Sequence, residues 1–563
     1  MIGVISRENE KEVVTEFFEL FKTPWEFYQG DHCYEAVVTT VDCVSDIPTN
    51  LIILYASTET DFDRVNRLNP SPQKAEIQLA YHDTVFPIYG NSLTFEPAEE
   101  ALLTVEQGPG AAAIAVSREG KRVLRIGFDL FQEVGFLLST GQPPRFARIP
   151  TLDVHITILR NCILASGIPL TEIPPVPAGY DFISCLTHDV DFTRLTNHFF
   201  DHTMFGFLYR ASIGSFLGFL SGRRTWKNLL KNWKAAITLP AVYLNLADDF
   251  WLQFHRYAEI EDSLPSTFFV IPFKNDPGCH PSGRVDSRRA SQYDATEIAH
   301  EIEGLISSGH EIGVHGIDAW HDRQRGRQEL RRISELVGQA TPGIRMHWLY
   351  FDTSSPQHLE DAGFLYDSTR GYNDAIGYHA GTSQVFRPLG ATSLLELPLN
   401  IQDTALFFPS RMSLKPKHAW PKILSLLSHA KECGGALTLN WHHRSIAPER
   451  LWDDFYVQLL LELRRHPVWF ATAKNAVKWF QKRRDVRFRR EGARAHPPRT
   501  RIDGYVPDDT PDLLLRTYHP TRTDTSKSSR DRLIPRYDQR PIDEAYIHSS
   551  TDSVNQACAG SHS

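Results

Sequence analysis

Residues 182 to 442 alternate short apolar runs with amphipathic helical segments, and this alternation constrains the fold of the region strongly. The helical pattern is clearest after Asp294, a predicted N-cap with Glu297 at the capping-box position, where apolar residues recur at helical spacing until Gly309. Repeated strand–helix units form parallel sheets, and a (β/α) barrel gathers the carboxyl ends of its strands on one rim. We therefore expect an α/β chain with a (β/α) barrel, whose strands include apolar runs at 182–187, 266–271, 311–314, 394–399 and 436–442.

Two of these runs are adjacent to residues suited to metal-assisted hydrolysis. Asp189 and Asp191 stand in the sequence THDVD (187–191), and His315 ends the sequence GHEIGVH (309–315). Two carboxylates separated by one residue allow one acid to bind a cation while the other accepts a proton from water. A histidine from another strand end would add to the coordination shell. The pattern predicts half of a metal-hydrolase site.

With these motifs, the segment from about 178 to 482 resembles the polysaccharide deacetylases, also called the NodB-homology or carbohydrate esterase 4 family. The resemblance covers roughly half of the chain and implies a distorted (β/α) barrel that uses a divalent metal to remove N-acetyl groups from amino sugars. THDVD is similar to a branch of the family in which one residue separates the two acids. The resemblance then implies that Asp189 is the general base and Asp191 a metal ligand.

The second and third family motifs are matched only in part. GHEIGVH is similar to the start of the second motif, which gives His315 as a ligand, but the next histidine is His321 rather than a residue at position 319. We expect His321 to be the third ligand, with Asp318 as the competing residue. The third motif, Arg-x-Pro, keeps Arg345 as the partner that orients the base, while its proline position is occupied by His347. His347 is interpreted as a substrate contact or a rim residue, and Asp367 as a wall residue or an arginine partner.

The last family motif, an apolar strand that ends in histidine, is similar to LTLNWHHR at 437–444. His442 continues the alternation of side chains from Asn440 and is the expected general acid, with His443 as the alternative. The expected cofactor is a divalent metal, with Zn²⁺ first, although a His/His/Asp set also admits Co²⁺, Mn²⁺ or Fe²⁺. The competing interpretation is a non-catalytic relative that binds glycan or metal without turnover, because the second histidine is shifted and the proline is missing.

A chain of 563 residues exceeds one ordinary hydrophobic core, so more than one domain is expected. Residues 1–170 are predicted to form an accessory α/β domain, with a helix around 10–21 and strands near 51–55, 112–116 and 123–128. A proline-rich linker at 173–177 precedes the catalytic domain at 178–482, which carries a helical insertion at about 195–260. Residues 483–563, rich in Arg, Asp, Thr, Ser and Pro, are predicted to be a mostly disordered tail.

Charge and cysteine content indicate which partners and which cellular compartment to expect. The formal net charge of -8 argues against a nucleic-acid partner, and seven scattered cysteines fit a reducing compartment. The first residues do not resemble a secretory signal, so a cytoplasmic location is expected. The apolar stretch 204–220, interrupted by Arg210 and followed by basic residues, predicts either a buried helix or an interfacial helix on the inner face of a membrane. The expected partner is an N-acetylated sugar or glycan, lipid-linked or nucleotide-linked in a cytoplasmic enzyme.

Overall fold

The computed structural model describes residues 1–73, 76–96, 101–108, 110–118, 120–222, 224–338, 343–492, 499–520 and 535–542. The chain divides into two compact units. Residues 1–179, 380–382 and 478–563 form the first unit, and residues 180–379 and 383–477 form the second. The division differs from the predicted domains in that the segment from Lys478 onward groups with the N-terminal unit.

A mixed sheet of nine strands organises the first unit, in the order β2-β1-β3-β4-β11-β10-β9-β6-β7. Its parallel half runs from β2 to β11 and its antiparallel half from β11 to β7. The predicted helix near 10–21 and the predicted strands are confirmed as α1, β4, β10 and β11. The elements are β1 Ile2–Ile5, α1 Lys11–Phe21, β2 Trp25–Phe27, β3 Ala36–Thr39, β4 Leu51–Tyr55, α2 Asp61–Asn66, β5 Ser71–Gln73, β6 Ile77–Tyr81, β7 Thr84–Ile88, β8 Ser92–Thr94, β9 Ala101–Val105, β10 Ala111–Arg118, β11 Lys121–Ile126, α3 Leu130–Ser139, α4 Thr151–Ala165 and β12 Leu170–Glu172.

The second unit is the expected distorted (β/α) barrel, an all-parallel sheet in the order β18-β17-β16-β15-β14-β13-β20-β19, with β21 also paired to β13. Helices connect most of its strands. The elements are β13 Phe182–Val190, α5 His202–Tyr209, α6 Ser215–Leu220, α7 Trp226–Tyr243, α8 Phe254–Glu261, β14 Ser266–Val270, α9 Ala299–Ser307, β15 Glu311–Gly316, α10 Arg323–Val337, β16 Gly343–Met346, α11 Ser355–Ala362, β17 Tyr366–Asp367, β18 Leu395–Glu396, β19 Ile401–Gln402, α12 Asp403–Phe407, α13 Pro416–Cys433, β20 Ala436–Asn440, α14 Asp453–Leu463, β21 Val468–Phe470 and α15 Ala473–Asp485.

Strand β13 lies in the middle of this sheet, and all nine of its residues are buried. Burial on both faces explains why its sequence is nearly continuous in apolar residues before the acids. Its register places Thr187 beside Asn440 of β20, and Val190 beside Val270 of β14. On the other side of β14, His315 of β15 lies beside Arg345 of β16. The register therefore brings the predicted motifs to one edge.

The helical insertion predicted at about 195–260 consists of α5 to α8, with a π-helical turn at 210–214 between α5 and α6. A small apolar cluster that includes Met204, Phe207, Leu239 and Trp251 holds these helices together. No helix in the described part of the chain is long and apolar enough to cross a membrane.

The segment 483–563, predicted to be a mostly disordered tail, contains regular elements in its described residues. These elements are β22 Arg487–Glu491, β23 Arg499–Asp503, β24 Leu514–Tyr518 and β25 Tyr537–Pro541, and β24 pairs with β12 of the first unit. Arg484 donates two hydrogen bonds of 2.8 Å to Glu16, and buried Arg483 donates to the carbonyl of Leu20 at 2.9 Å. Pairing of this kind makes burial of arginine tolerable, so a low apolar content did not prevent folding. Residues 493–498, 521–534 and 543–563 of the predicted tail lie outside the described residues.

Candidate metal centre

Successive side chains of β13 point to opposite faces of the strand, one toward the rim and one toward the core. Asp189 faces the rim together with Thr187, whereas the intervening His188 is fully buried on the opposite face, with its Nε2 2.8 Å from the Glu261 carboxylate. His188 is therefore a core histidine. Asp191 follows the end of the strand and lies between the imidazoles described next.

Asp191, His315 and His347 form a group whose ligand atoms all lie within 4.8 Å of one another. The Asp191 Oδ1 atom is 3.2 Å from His315 Nε2 and 3.3 Å from His347 Nδ1. The two ring nitrogens are 3.0 Å apart. A carboxylate oxygen and two imidazole nitrogens that converge in this way are the ligand set of a Zn²⁺ or related transition-metal site.

The protonation of the two imidazoles suits a cation. His315 Nδ1 lies 2.9 Å from the carbonyl oxygen of Arg345, which only accepts, so Nδ1 carries a proton and Nε2 is the ring nitrogen that faces the group. Burial lowers the pKa of His347 to about 4, which keeps that ring neutral. Burial alone would raise the pKa of Asp191, but the neighbouring His347 and His315 hold it well below its ordinary value. Three electron-pair donors therefore face one another, and a divalent ion fits between them.

The predicted third ligand, His321, does not belong to this group. Its Nε2 lies 3.3 Å from Asp318 Oδ1, and both residues belong to a different group with Cys279. Asp318 and His321 lie in the turn after β15. The backbone of this turn is fixed by the N–H groups of Ile317 and Asp318, which donate to the buried carboxylate of Glu329. His347, at the end of β16, occupies the position that His321 was expected to fill.

The expected base, Asp189, is held on both carboxylate oxygens. Arg345 Nη1 donates to Oδ1 at 2.9 Å, and Asn440 Nδ2 donates to Oδ2 at 2.7 Å. Burial alone would raise the pKa of Asp189, but the charge of Arg345, with His315 and His442, lowers it below its ordinary value. Asp189 is therefore an ionised acceptor, 4.0 Å from His315 Nε2.

The guanidinium of Arg345 is fully buried and fixed by four further contacts. It donates to Thr187 Oγ1 at 2.7 Å and to the carbonyl and hydroxyl oxygens of Ser368 at 3.0 and 2.9 Å. It also lies over the ring of Phe269, 4.5 Å from the centroid. Asp367, predicted as a wall residue or an arginine partner, belongs to a buried charge cluster with Arg370 and Glu396.

The expected acid, His442, lies on the opposite side of the two aspartates. Its Nε2 is 4.0 Å from Asp189 Oδ2 and 3.9 Å from Asp191 Oδ2. Its Nδ1 lies 2.6 Å from Asp403 Oδ1, while its backbone N–H donates to Asp403 Oδ2 at 2.7 Å. Burial alone would lower the pKa of His442, but Asp403 and the two rim aspartates raise it to about 9. The ring is therefore an imidazolium at neutral pH.

The alternative acid, His443, faces the core. It packs on Phe254 with ring centroids 4.2 Å apart, and its Nε2 accepts from the backbone N–H of Gln253 at 3.2 Å. Its Nδ1 donates to the carbonyl of Phe192 at 3.1 Å, and burial lowers its pKa to about 3. Among the two histidines, only His442 is placed to exchange a proton at the rim.

The sequence interpretation gave no site role to Asn440 or Asp403. Asn440 precedes His442 by two residues, so strand alternation was a usable signal for it. Asp403 directly follows β19, a further polar residue at a strand end. For His347, the signal was its place in the motif that normally carries proline.

No family model and no curated protein matches the chain. Among solved structures, the chain is similar to a protein described as a polysaccharide deacetylase from Mycobacterium smegmatis, with 22% identity and a TM-score of 0.35 over 55% of this chain and 95% of that one. A second such protein, from Pseudomonas aeruginosa, gives 17% identity and a TM-score of 0.34 over 55% and 94%. A CE4 family pseudoenzyme from Bacillus anthracis gives 11% identity and a TM-score of 0.23 over 52% and 65%. Each of these similarities covers about half of this chain.

Proposed function

We propose that this chain is a metal-dependent hydrolase that removes an acyl group, N-acetyl first, from an amino sugar or related glycan. The observation that carries the proposal is that a proton acceptor and a proton donor both lie beside one set of metal-ligating side chains. An ionised Asp189 and a charged His442 both lie beside the group that Asp191, His315 and His347 form.

Asp191, His315 and His347 are the residues that would hold the ion, and Zn²⁺ is the ion that such a ligand set favours. When bound, it supplies the Lewis acidity that polarises an acyl carbonyl and acidifies water. The chain's own residues carry the proton transfers. Asp189 accepts the proton of the attacking water at Oδ2, the oxygen that lies 4.0 Å from both His315 Nε2 and His442 Nε2. Arg345 keeps that carboxylate ionised and oriented between turnovers.

His442 supplies the second proton. Its Nε2–H donates to the leaving nitrogen, while Asp403 holds the ring by Nδ1 and stabilises the charged form before the transfer. Asn440 fixes the base from the side opposite Arg345. Base and acid thus have pKa values displaced in opposite directions, as a hydrolase of this type requires.

The base assignment is tested with Asp189→Asn. Acetate release from a panel of N-acetylated sugars should fall roughly 10²-fold or more, the usual scale for a positioned acid or base, while metal content by mass spectrometry stays at the wild-type level. Asp262→Asn is the matched control, because Asp262 is exposed at the end of α8 in a left-handed conformation that asparagine tolerates. Full activity in Asp189→Asn would refute the role, and metal binding without acetate release from any substrate would favour a non-catalytic binding protein.

The ligand assignment is tested by two histidine variants. His347→Gln should lower both metal affinity and acetate release much more than His321→Gln does, because only His347 lies against Asp191. A larger effect of His321→Gln than of His347→Gln would contradict this assignment and identify His321 as the ligand.

We further propose that the insertion docks this enzyme on an anionic lipid surface. Large apolar side chains of the insertion are exposed to an unusual extent, with Leu220 65%, Ile237 78% and Leu246 77% accessible. Others of this kind are Phe199, Phe200, Phe205, Tyr209, Ile213, Phe216, Leu217, Trp226, Leu230, Trp233 and Leu244. Exposed large apolar side chains in this number normally mark an interaction site.

The charge of the insertion supports an anionic lipid surface as that partner. Residues 202–247 contain no Asp or Glu but six Lys or Arg, in a chain whose formal net charge is -8. On α7, Lys227, Lys231 and Lys234 are exposed beside the exposed indoles of Trp226 and Trp233. Basic and aromatic residues that flank an apolar face are typical of helices that lie in the lipid headgroup region. A lipid-linked amino sugar is the substrate that such docking would present.

Sedimentation with vesicles tests the docking. The protein should bind vesicles that contain phosphatidylglycerol more strongly than pure phosphatidylcholine vesicles, and salt should weaken the binding. The double variant Leu220→Ser/Ile237→Ser should lose it. Leu365→Ser, at a residue 62% exposed outside the insertion, is the control and should bind normally. Equal binding by the double variant, or none by the wild type, would refute the docking.

A further inference from the structure

A second group of metal-ligating side chains lies apart from the proposed catalytic centre. It consists of Cys279, in the loop between β14 and α9, with Asp318 and His321 in the turn between β15 and α10. We propose that these three residues bind a second transition-metal ion, Zn²⁺ by ligand chemistry. The proposal shares no residue with the Asp191 group and does not depend on the hydrolase assignment.

The spacing of the ligand atoms fits one tetrahedral ion. The thiol, carboxylate and imidazole ligand atoms all lie within 4.8 Å of one another, and His321 Nε2 is 3.3 Å from Asp318 Oδ1. A tetrahedral Zn²⁺ with bonds of roughly 2.0–2.3 Å keeps its ligand atoms roughly 3.3–3.8 Å apart. Small side-chain adjustments would suffice to complete the coordination.

His321 Nε2 gives an independent indication of a missing ligand. This atom is removed from solvent, and although Asp318 lies near it, it has no hydrogen-bond partner among the described residues. A buried polar nitrogen without a partner lowers the stability of the folded protein. An ion bound between His321 and Asp318 would use this lone pair.

The backbone around Cys279 is built for close approach to Asp318. The N–H of Cys279 donates to Asp318 Oδ1 at 2.7 Å. The preceding Gly278 has φ +60°, and a Cβ atom there would lie 2.4 Å from the same oxygen. Only glycine combines that conformation with that approach. Glu329, which accepts the backbone N–H groups of Ile317 and Asp318 at 2.9 and 2.8 Å, fixes the other side of the site.

Charge and exposure decide the class of ion. Arg325 Nε lies 3.9 Å from Asp318 Oδ2, so a neutral thiol would leave the site poorly matched to a dication. Metal binding would release the thiol proton of Cys279 and so add a second negative charge. Thiolate with imidazole selects Zn²⁺ or a similar ion over Mg²⁺ and Ca²⁺. Cys279 is exposed, which leaves room for water as a fourth ligand. The ion would tie the loop after β14 to the turn after β15.

Titration of the metal-free full-length protein with Co²⁺ tests the site, because a Co²⁺–thiolate bond gives a near-ultraviolet charge-transfer band. The Asp191 group contains no sulfur, so a thiolate band does not come from that group. We expect the band in the wild type, its loss in Cys279→Ser, and Co²⁺ affinity lowered about tenfold or more in His321→Gln. Cys33→Ser, which removes another exposed cysteine, should keep the band.

His347→Gln separates this proposal from the hydrolase, since it should keep the band while acetate release is lost. Zn²⁺ should also protect Cys279 from alkylation by iodoacetamide, as followed by peptide mass spectrometry. A wild-type protein without the band, a band that survives Cys279→Ser, or equal alkylation with and without Zn²⁺ would overturn the site.

Discussion

Replacement of Asp403 by Asn isolates the group that charges the proposed acid. Asp403 is fully buried, and both of its oxygens contact His442, one at the ring nitrogen Nδ1 and one at the backbone N–H. Asparagine keeps the shape and one acceptor oxygen but removes the negative charge. The pKa of His442 should therefore fall from its value of about 9.

The size of the fall follows from the contact. A hydrogen bond to a charged partner contributes about 1.5–3 kcal/mol, and one pKa unit corresponds to about 1.4 kcal/mol. The pKa of His442 should thus drop by about 1–2 units, because Asp189 and Asp191 still favour the charged ring. At pH 8 the imidazolium fraction would decrease from roughly nine-tenths to between a half and a tenth.

Nuclear magnetic resonance measures this directly. The Cε1 resonance of His442 in metal-free protein with ¹³C-labelled histidine, assigned by its absence in His442→Gln, is followed from pH 5 to pH 10. Asp262→Asn serves as the control and should leave the titration in place. A wild-type midpoint near the ordinary value of 6.5, or the same midpoint in Asp403→Asn, would refute the reasoning. With substrate, the alkaline limb of kcat/KM should move to lower pH in the same variant.

Two further predictions concern stability and one concerns the arginine. Burial, opposed by the backbone N–H groups of Tyr89 and Gly90, raises the pKa of Glu133 from 4.5 to about 7. The folded protein then binds more protons than the unfolded chain between these values, so the free energy of unfolding should fall as pH rises through the window, by up to about 3 kcal/mol. Thermal melting from pH 4.5 to 7.5 should show a smaller decrease in Glu133→Gln; an unchanged pH dependence would contradict the shift. Gly343→Ala should destabilise the fold by about 1–3 kcal/mol, because its Cβ would lie 2.0 Å from the ring of Tyr366. Gly304→Ala in α9 is the control and should not destabilise the fold, because its Cβ would meet no atom within 4 Å. Equal denaturation midpoints for the two variants would contradict this. Arg345→Lys should reduce acetate release at least about tenfold with metal retained, since lysine cannot bind Asp189 and Ser368 together, and wild-type turnover would exclude the orienting role.

The sequence alone determined the convergence of Asp189, His315, Arg345 and His442. Each residue follows or ends an apolar run of the βα pattern, and parallel strands present their carboxyl ends at one edge. Alternation along β20 also favoured His442 over His443, because side chains two residues apart share a face. These inferences needed only the period of the strands and the order of the elements.

Tertiary structure decided which histidine joins Asp191. The sequence pattern favoured His321, the next histidine after His315, whereas the structure places His347 beside Asp191. His321 lies instead with Asp318 and Cys279. The same holds for the C-terminal segment, whose arginines are ordered by carboxylate and carbonyl partners more than 300 residues away. A ligand set or a buried charge depends on distances of a few ångströms between remote side chains, and those distances exist only once the packing is complete.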